Sequence, residues 1–156
     1  MERIASFGVD HLTLDKGLYI SRIDGDIITY DLRMCKPYSN ELLTHEQMHT
    51  MEHLMATILR NDKKFGPGII YFGPMGCQTG FYLLMDLRKV GFTNRELVNV
   101  LIDAFEKIEN WNEEIPGNSM IECGNCHTLQ LEEAKQVASQ YREVLLNINN
   151  IDELNY

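Results

Sequence analysis

"LYISRIDGDIITYDLRM", residues 18 to 34, consists of two β-rich runs joined at Asp24-Gly25. That dipeptide suits the positive backbone angles of a tight turn, so the stretch predicts a β-hairpin. Further along, "FGPGIIYFGPMGCQTGFYLLMDL", residues 65 to 87, reads as strand, Gly/Pro-rich turn and strand. Its turn holds Cys77 on irregular backbone, where a reactive side chain is easily presented.

Helical patterns lie between and after these strands. "THEQMHTMEHLMATILRN", residues 44 to 61, opens with Thr44 and Gln47 at capping-box spacing. Met48, Met51, Met55 and Ile58 recur there at helical intervals and predict a buried, Met-rich stripe, with His49, Glu52, His53, Ala56 and Arg60 on the other side. "TNRELVNVLIDAFEKIENW", residues 93 to 111, starts with another capping box, Thr93 to Glu96, and keeps Leu97, Leu101, Ala104 and Ile108 in one stripe. After the loop "NEEIPGNSMIECGNC", residues 112 to 126, comes "LEEAKQVASQYREVLLNI", residues 131 to 148. There Leu131, Ala134, Val137, Ala138, Tyr141 and Leu145 form a third apolar face. No repeat, low-complexity tract or linker interrupts the chain, so the expected architecture is α+β: antiparallel strands with helices packed on one face.

The length of 156 residues and the 44% hydrophobic content suit one domain, residues 1–156, with a sizeable core. A formal net charge of -9, with the 14 Lys and Arg gathered into no basic stripe, argues against nucleic acid as a partner. There is no apolar run of signal-peptide or membrane-span length, so a cytoplasmic protein without membrane attachment is expected. In a reducing compartment the four cysteines, Cys35, Cys77, Cys123 and Cys126, read better as ligands, catalytic groups or buried apolar residues than as disulfides.

The chemistry gathers at "HTMEH", residues 49 to 53. Four residues is a little over one helical turn, so His49 and His53 project from one face with Glu52 beside them. Two imidazoles at that spacing are a common way to hold a divalent transition metal. A carboxylate next to the cation is placed to move protons to and from a metal-bound oxygen. Without a metal, both histidines would merely cap or solvate the helix face. The H-x-x-E-H pattern is also that of inverted zinc peptidases, which are generally much larger. "CGNCH", residues 123 to 127, weakly suggests haem attachment or half of a structural zinc site. A more economical use is one thiolate completing a site of two histidines and a cysteine, and spacing leaves Cys123 and Cys126 both open.

Taken together, "SFGVDH", "DLRMCKP", "HTMEH", "GPMGCQTGFYL" and "ECGN...LEEAK" stand in the order and approximate spacing of the LuxS family of S-ribosylhomocysteine lyases, which the chain resembles over nearly its whole length. The resemblance implies a cytoplasmic homodimer with its sites at the subunit interface. It implies cleavage of the thioether of S-ribosylhomocysteine to homocysteine and 4,5-dihydroxy-2,3-pentanedione, an autoinducer precursor in quorum sensing, by metal-assisted carbonyl migration and β-elimination. It further implies one divalent metal per subunit, Fe2+ replaceable by Zn2+ or Co2+, held by His49, His53 and Cys123. Glu52 and Cys77 become the acid/base pair. Ser6, Phe7 and His11 match a segment that reaches into the neighbouring subunit's site, and Arg33 a substrate-contacting arginine. The chain departs from the family pattern in having Gly73 where serine is usual and Leu129 where a histidine is.

Overall fold

Gly25 takes the positive φ of +60° that its turn requires. Around it β1 (Gly17–Asp24) pairs antiparallel with β2 (Ile27–Arg33), which confirms the hairpin. The computed structural model describes Ile4 and residues 7–156, so Ser6 lies outside the described residues. The second strand pair is β3 (Ile69–Pro74) and β4 (Gly80–Asp86). The four strands form one antiparallel sheet in the order β1-β2-β4-β3, with register shifts between Ile20 and Arg22 and between Ile69 and Tyr71.

Alternation along the strands sorts the side chains. Ile28, Tyr30 and Leu32 of β2 and Phe81, Leu83 and Met85 of β4 all belong to the hydrophobic core. The residues between them, including Thr29, Asp31 and Arg33 of β2 and Tyr82 and Leu84 of β4, face the other way. Among the described residues, helices cover the first face only.

Three helices of equal length supply that cover: α1 (His45–Arg60), α2 (Asn94–Glu109) and α3 (Leu131–Leu146). Thr44 Oγ1 accepts from the Gln47 amide at 3.2 Å while Gln47 Oε1 accepts from the Thr44 amide at 2.9 Å. Thr93 and Glu96 repeat the box on α2. These bonds satisfy amide donors that would otherwise lack partners at a helix start. The start of α3 has no side-chain cap; its Gln130 amide donates to Thr50 Oγ1 at 2.8 Å, which ties α3 to α1.

The buried face of α1 centres on Met51, Leu54, Met55 and Leu59, with Met48 and Ile58 half-buried at its margins. The stripe is therefore wider than the methionine spacing alone suggests. Helices α2 and α3 pack against one another, with Phe105 edge-to-face on Tyr141 at 5.2 Å between centroids. The Tyr141 hydroxyl donates to the Gly17 carbonyl at 2.8 Å, a bond that fastens α3 to the sheet. Each large core side chain removed from water contributes roughly 1.5–3 kcal/mol. The chain ends along β1: the Ile20 amide donates to the Leu154 carbonyl at 2.5 Å, Leu154 is buried, and Tyr156 stacks on Tyr19.

Candidate active site

On α1, His49 and His53 lie one turn apart beneath the loop that joins α2 to α3, and Cys123 descends from that loop to meet them. Their potential ligand atoms all lie within 4.8 Å of one another, and Cys123 Sγ is 3.3 Å from His49 Nε2. The outer face of α1 is thus half-covered rather than bare, because the loop closes over it.

Two contacts fix which imidazole nitrogens are free. The Pro116 carbonyl can only accept, so His53 Nδ1, 2.7 Å away, carries the proton and leaves the Nε2 lone pair unused. Thr128 donates its hydroxyl to the Asn125 carbonyl at 3.1 Å. Its oxygen therefore accepts from His49 Nδ1 at 2.7 Å, with the same result. Such outer contacts are how proteins orient metal-ligating histidines. Gly117 follows Pro116 with φ +73°, a conformation that favours glycine, and a Cβ there would lie 3.1 Å from His53 Nδ1, a tight contact.

Burial, helped by the neighbouring His53 and His45, lowers the His49 pKa and favours the neutral imidazole a cation needs. Cys123 Sγ also accepts from the Asn125 amide at 3.4 Å. Two imidazole nitrogens and a thiolate form a donor set suited to a divalent first-row transition metal, and three protein ligands leave a coordination position for substrate. These residues fit the implied cation. Cys126 begins the short 3-10 turn Cys126–Thr128 and is not part of the three-residue cluster. Glu52 is half-buried beside His53; burial raises its carboxyl pKa, against the pull of His53 and Arg60.

Arg33 and Cys77 form a second group. Cys77 is exposed in the β3–β4 turn, and Arg33 Nη1 reaches to 4.0 Å from its sulfur from the sheet face that the helices leave open. The turn is held from below, since the Met34 and Cys35 amides donate to the Thr79 carbonyl at 2.9 Å and the Leu43 amide to that of Gln78 at 2.9 Å. Asp31, fully buried, accepts from Arg33 and Tyr156; burial raises its pKa against both, and His11 pulls in the same direction as they do. Half-buried His11 belongs electrostatically to this group, whereas Phe7 is exposed. Among the described residues, no hydrogen bond or ion pair links the Arg33–Cys77 group to the histidine–cysteine cluster.

The two departures from the family pattern, Gly73 and Leu129, lie in different surroundings. The Tyr71 phenol folds over Gly73, so close that a Cβ there would lie 1.9 Å from its oxygen. Leu129 packs against the core. Sequence reasoning missed Pro116, Thr128, Asp31, Thr79 and Tyr156. Only Asp31 left a trace, as a charge two residues before Arg33 in a β-rich run.

Fold and site define an α+β protein with a two-histidine, one-cysteine candidate metal centre. The family model described as S-Ribosylhomocysteinase (LuxS) matches residues 4–152. The S-ribosylhomocysteine lyase of Clostridium acetobutylicum is 40% identical over 160 residues, covering 100% of this chain and 99% of that protein. That of Desulfotalea psychrophila is 43% identical over 153 residues, 95% and 94% of the two chains. That of Porphyromonas gingivalis is 37% identical over 160 residues, 100% and 99%. The chain belongs to the S-ribosylhomocysteinase (LuxS) family. Among the described residues, no helix is long and apolar enough to cross a membrane.

Proposed function

We propose that this member of the family, acting as one domain over residues 1–156, cleaves the thioether of S-ribosylhomocysteine to homocysteine and 4,5-dihydroxy-2,3-pentanedione, the autoinducer precursor. The observation that carries this reading is the convergence of His49, His53 and Cys123 beside Glu52, in a chain of this family.

Expelling a thiolate requires a carbonyl placed so that a proton can be lost next to it, β to the sulfur. The ribose carbonyl must therefore migrate along the carbon chain, and each migration removes a proton from one carbon and returns it to the neighbouring one. A divalent cation held by His49, His53 and Cys123, Fe2+ with Zn2+ or Co2+ as substitutes, supplies Lewis-acid polarisation of substrate oxygens when bound. Glu52, half-buried beside His53, takes and returns protons on one side of the substrate. Cys77 serves the other side, as a thiolate when it accepts a proton and as a thiol when it gives one. In the last step a proton leaves the carbon next to the carbonyl, the carbon–sulfur bond breaks, and its electron pair leaves on the homocysteine sulfur. Arg33 orients the substrate, with Ser6, Phe7 and His11 as further contacts.

The working unit is a cytoplasmic homodimer with its two sites at the subunit interface. Support for it comes from the separation of the two groups: α1 packs on the covered face of the sheet, whereas Arg33 reaches Cys77 from the open face. A second copy brings Cys77 of one subunit to Glu52 and the cation of the other. The deciding experiment incubates metal-loaded protein with S-ribosylhomocysteine and follows free thiol, with a peptide mixture as control. Thiol release without peptide cleavage is the expected outcome; peptide cleavage without thiol release would replace the lyase by a metallopeptidase.

A further inference from the structure

Asp31 and Arg33 sit two residues apart on β2, with side chains 0% and 3% exposed, on the face of the sheet opposite the helix-covered core. A buried ion pair is a weak source of stability, because removing two charges from water offsets their attraction. This one is also incompletely satisfied: among the described residues, Asp31 Oδ1 and Arg33 Nε have no hydrogen-bond partner. A pair so costly needs a reason other than packing, and the direction of its hydrogen bonds supplies one.

The Tyr156 hydroxyl donates to Asp31 Oδ2 at 2.7 Å, and Arg33 Nη2 donates to the same oxygen. A guanidinium has only donors, so Arg33 Nη1, 2.6 Å from Thr79 Oγ1, must donate there. Thr79 is itself 3% exposed, and its oxygen lies 3.0 Å from Cys77 Sγ. With one lone pair occupied by Arg33, the Thr79 hydroxyl retains its single proton for the sulfur.

We infer that Thr79 is a further catalytic residue, whose hydroxyl donates to the Cys77 sulfur once that sulfur has given up its proton, and that Asp31 and Tyr156 are positioning residues acting through Arg33. When Cys77 passes its proton to a substrate carbon, the electron pair of the S–H bond stays on sulfur, and the Thr79 donor faces that charge. When the proton returns, the Thr79 oxygen remains held by Arg33 and the geometry is kept for the next transfer. The catalytic consequence rests on reading Cys77 as a proton carrier; the coupling of Thr79 to the sulfur does not.

The test uses the full-length, metal-loaded protein with Thr79→Val, Thr79→Ser and Tyr156→Phe. The rate at which iodoacetamide alkylates Cys77, located by peptide mapping, is read at fixed pH beside kcat, KM and metal content. Losing a hydrogen bond to a charged group is expected to lower kcat about tenfold in Thr79→Val, with KM and metal content retained. Alkylation should slow about threefold, less than kcat, because a less stabilised thiolate is also more nucleophilic. Thr79→Ser should restore both, which a purely space-filling role would not require. Wild-type alkylation and turnover in Thr79→Val overturn the inference. Should that variant fail to unfold cooperatively, Tyr156→Phe carries the decision: slower alkylation supports the chain of bonds, and an unchanged rate overturns it. If wild-type protein releases no thiol from S-ribosylhomocysteine while Thr79→Val still slows alkylation, the coupling stands and the lyase reading falls.

Discussion

Glu52 and Cys77 occupy different surroundings, and their substitutions should differ from those of the histidines in a way that separates proton transfer from metal binding. Cys77→Ala is expected to keep its metal and its fold while turnover drops about 100-fold or more, the usual loss for a positioned acid/base group. Glu52→Gln should behave alike, since an amide preserves shape but cannot exchange the proton. His49→Ala and His53→Ala should lose metal and activity together, and metal analysis beside kinetics checks all four. Near wild-type turnover in Cys77→Ala would remove it from the mechanism. A subtler outcome concerns Thr128: with its hydroxyl gone in Thr128→Val, His49 Nδ1 loses its acceptor. Metal affinity should then fall by about 10–100-fold, measured by competition with a chelator. The histidine pair and its glutamate were legible because they fall within five consecutive residues. Thr128 and Pro116 were not, being 79 and 63 positions from the histidines they hold and carrying no ligand chemistry of their own.

What could be read of the elements follows the same division between local and distant. The hairpin at Asp24-Gly25 and the capping boxes at Thr44 and Thr93 are short-range devices whose residues declare them, and each forms as expected. The pairing of β2 with β4 depends on strands separated by the whole of α1, and no local signal announces it. Nor does spacing alone show that α1 is covered on its histidine side, or that the stripe running from Met48 to Ile58 has its centre at Met51, Leu54 and Met55. Two substitutions measure these contributions by denaturant unfolding. Thr44→Ala removes the acceptor for the Gln47 amide and should cost about 1 kcal/mol. Leu54→Ala opens a cavity at a fully buried position and should cost about 2–5 kcal/mol. A loss for Leu54→Ala no larger than that for Thr44→Ala would mean that the helix–sheet contact is looser than its burial indicates.

At the scale of the molecule, alkaline pH acts through the buried tyrosines. Burial pushes Tyr30 up to about 12 and Tyr141 well above its ordinary value. Both groups ionise later in the folded chain than in the unfolded one. The contribution of Tyr30 is therefore fully present below the ordinary tyrosine value of 10.0 and is lost as pH rises through about 12, and that of Tyr141 is lost in the same direction. The urea midpoint should fall over that interval, with tyrosinate absorbance rising together with unfolding. Tyr30→Phe should flatten the decline, and an unchanged slope in that variant would remove Tyr30 as a cause.

The strongest test at this scale uses two inactive proteins. Cys77→Ala retains the three metal ligands and Glu52, whereas His53→Ala retains Cys77, Arg33 and Thr79. If each site joins the metal-binding group of one subunit to the Cys77 group of the other, a mixed dimer holds one site with both halves intact and one with neither. Equal mixing with free subunit exchange makes about half the dimers mixed, so activity should recover to about a quarter of the wild-type level. If each site is built within one chain, every site in the mixture still carries a lesion and no activity returns. Sedimentation must show dimers, and a labelled subunit must show exchange, before the activity is read. Under those conditions a mixture as inactive as its components would place Cys77 and the metal in the same subunit, and dimerisation would drop out of the mechanism.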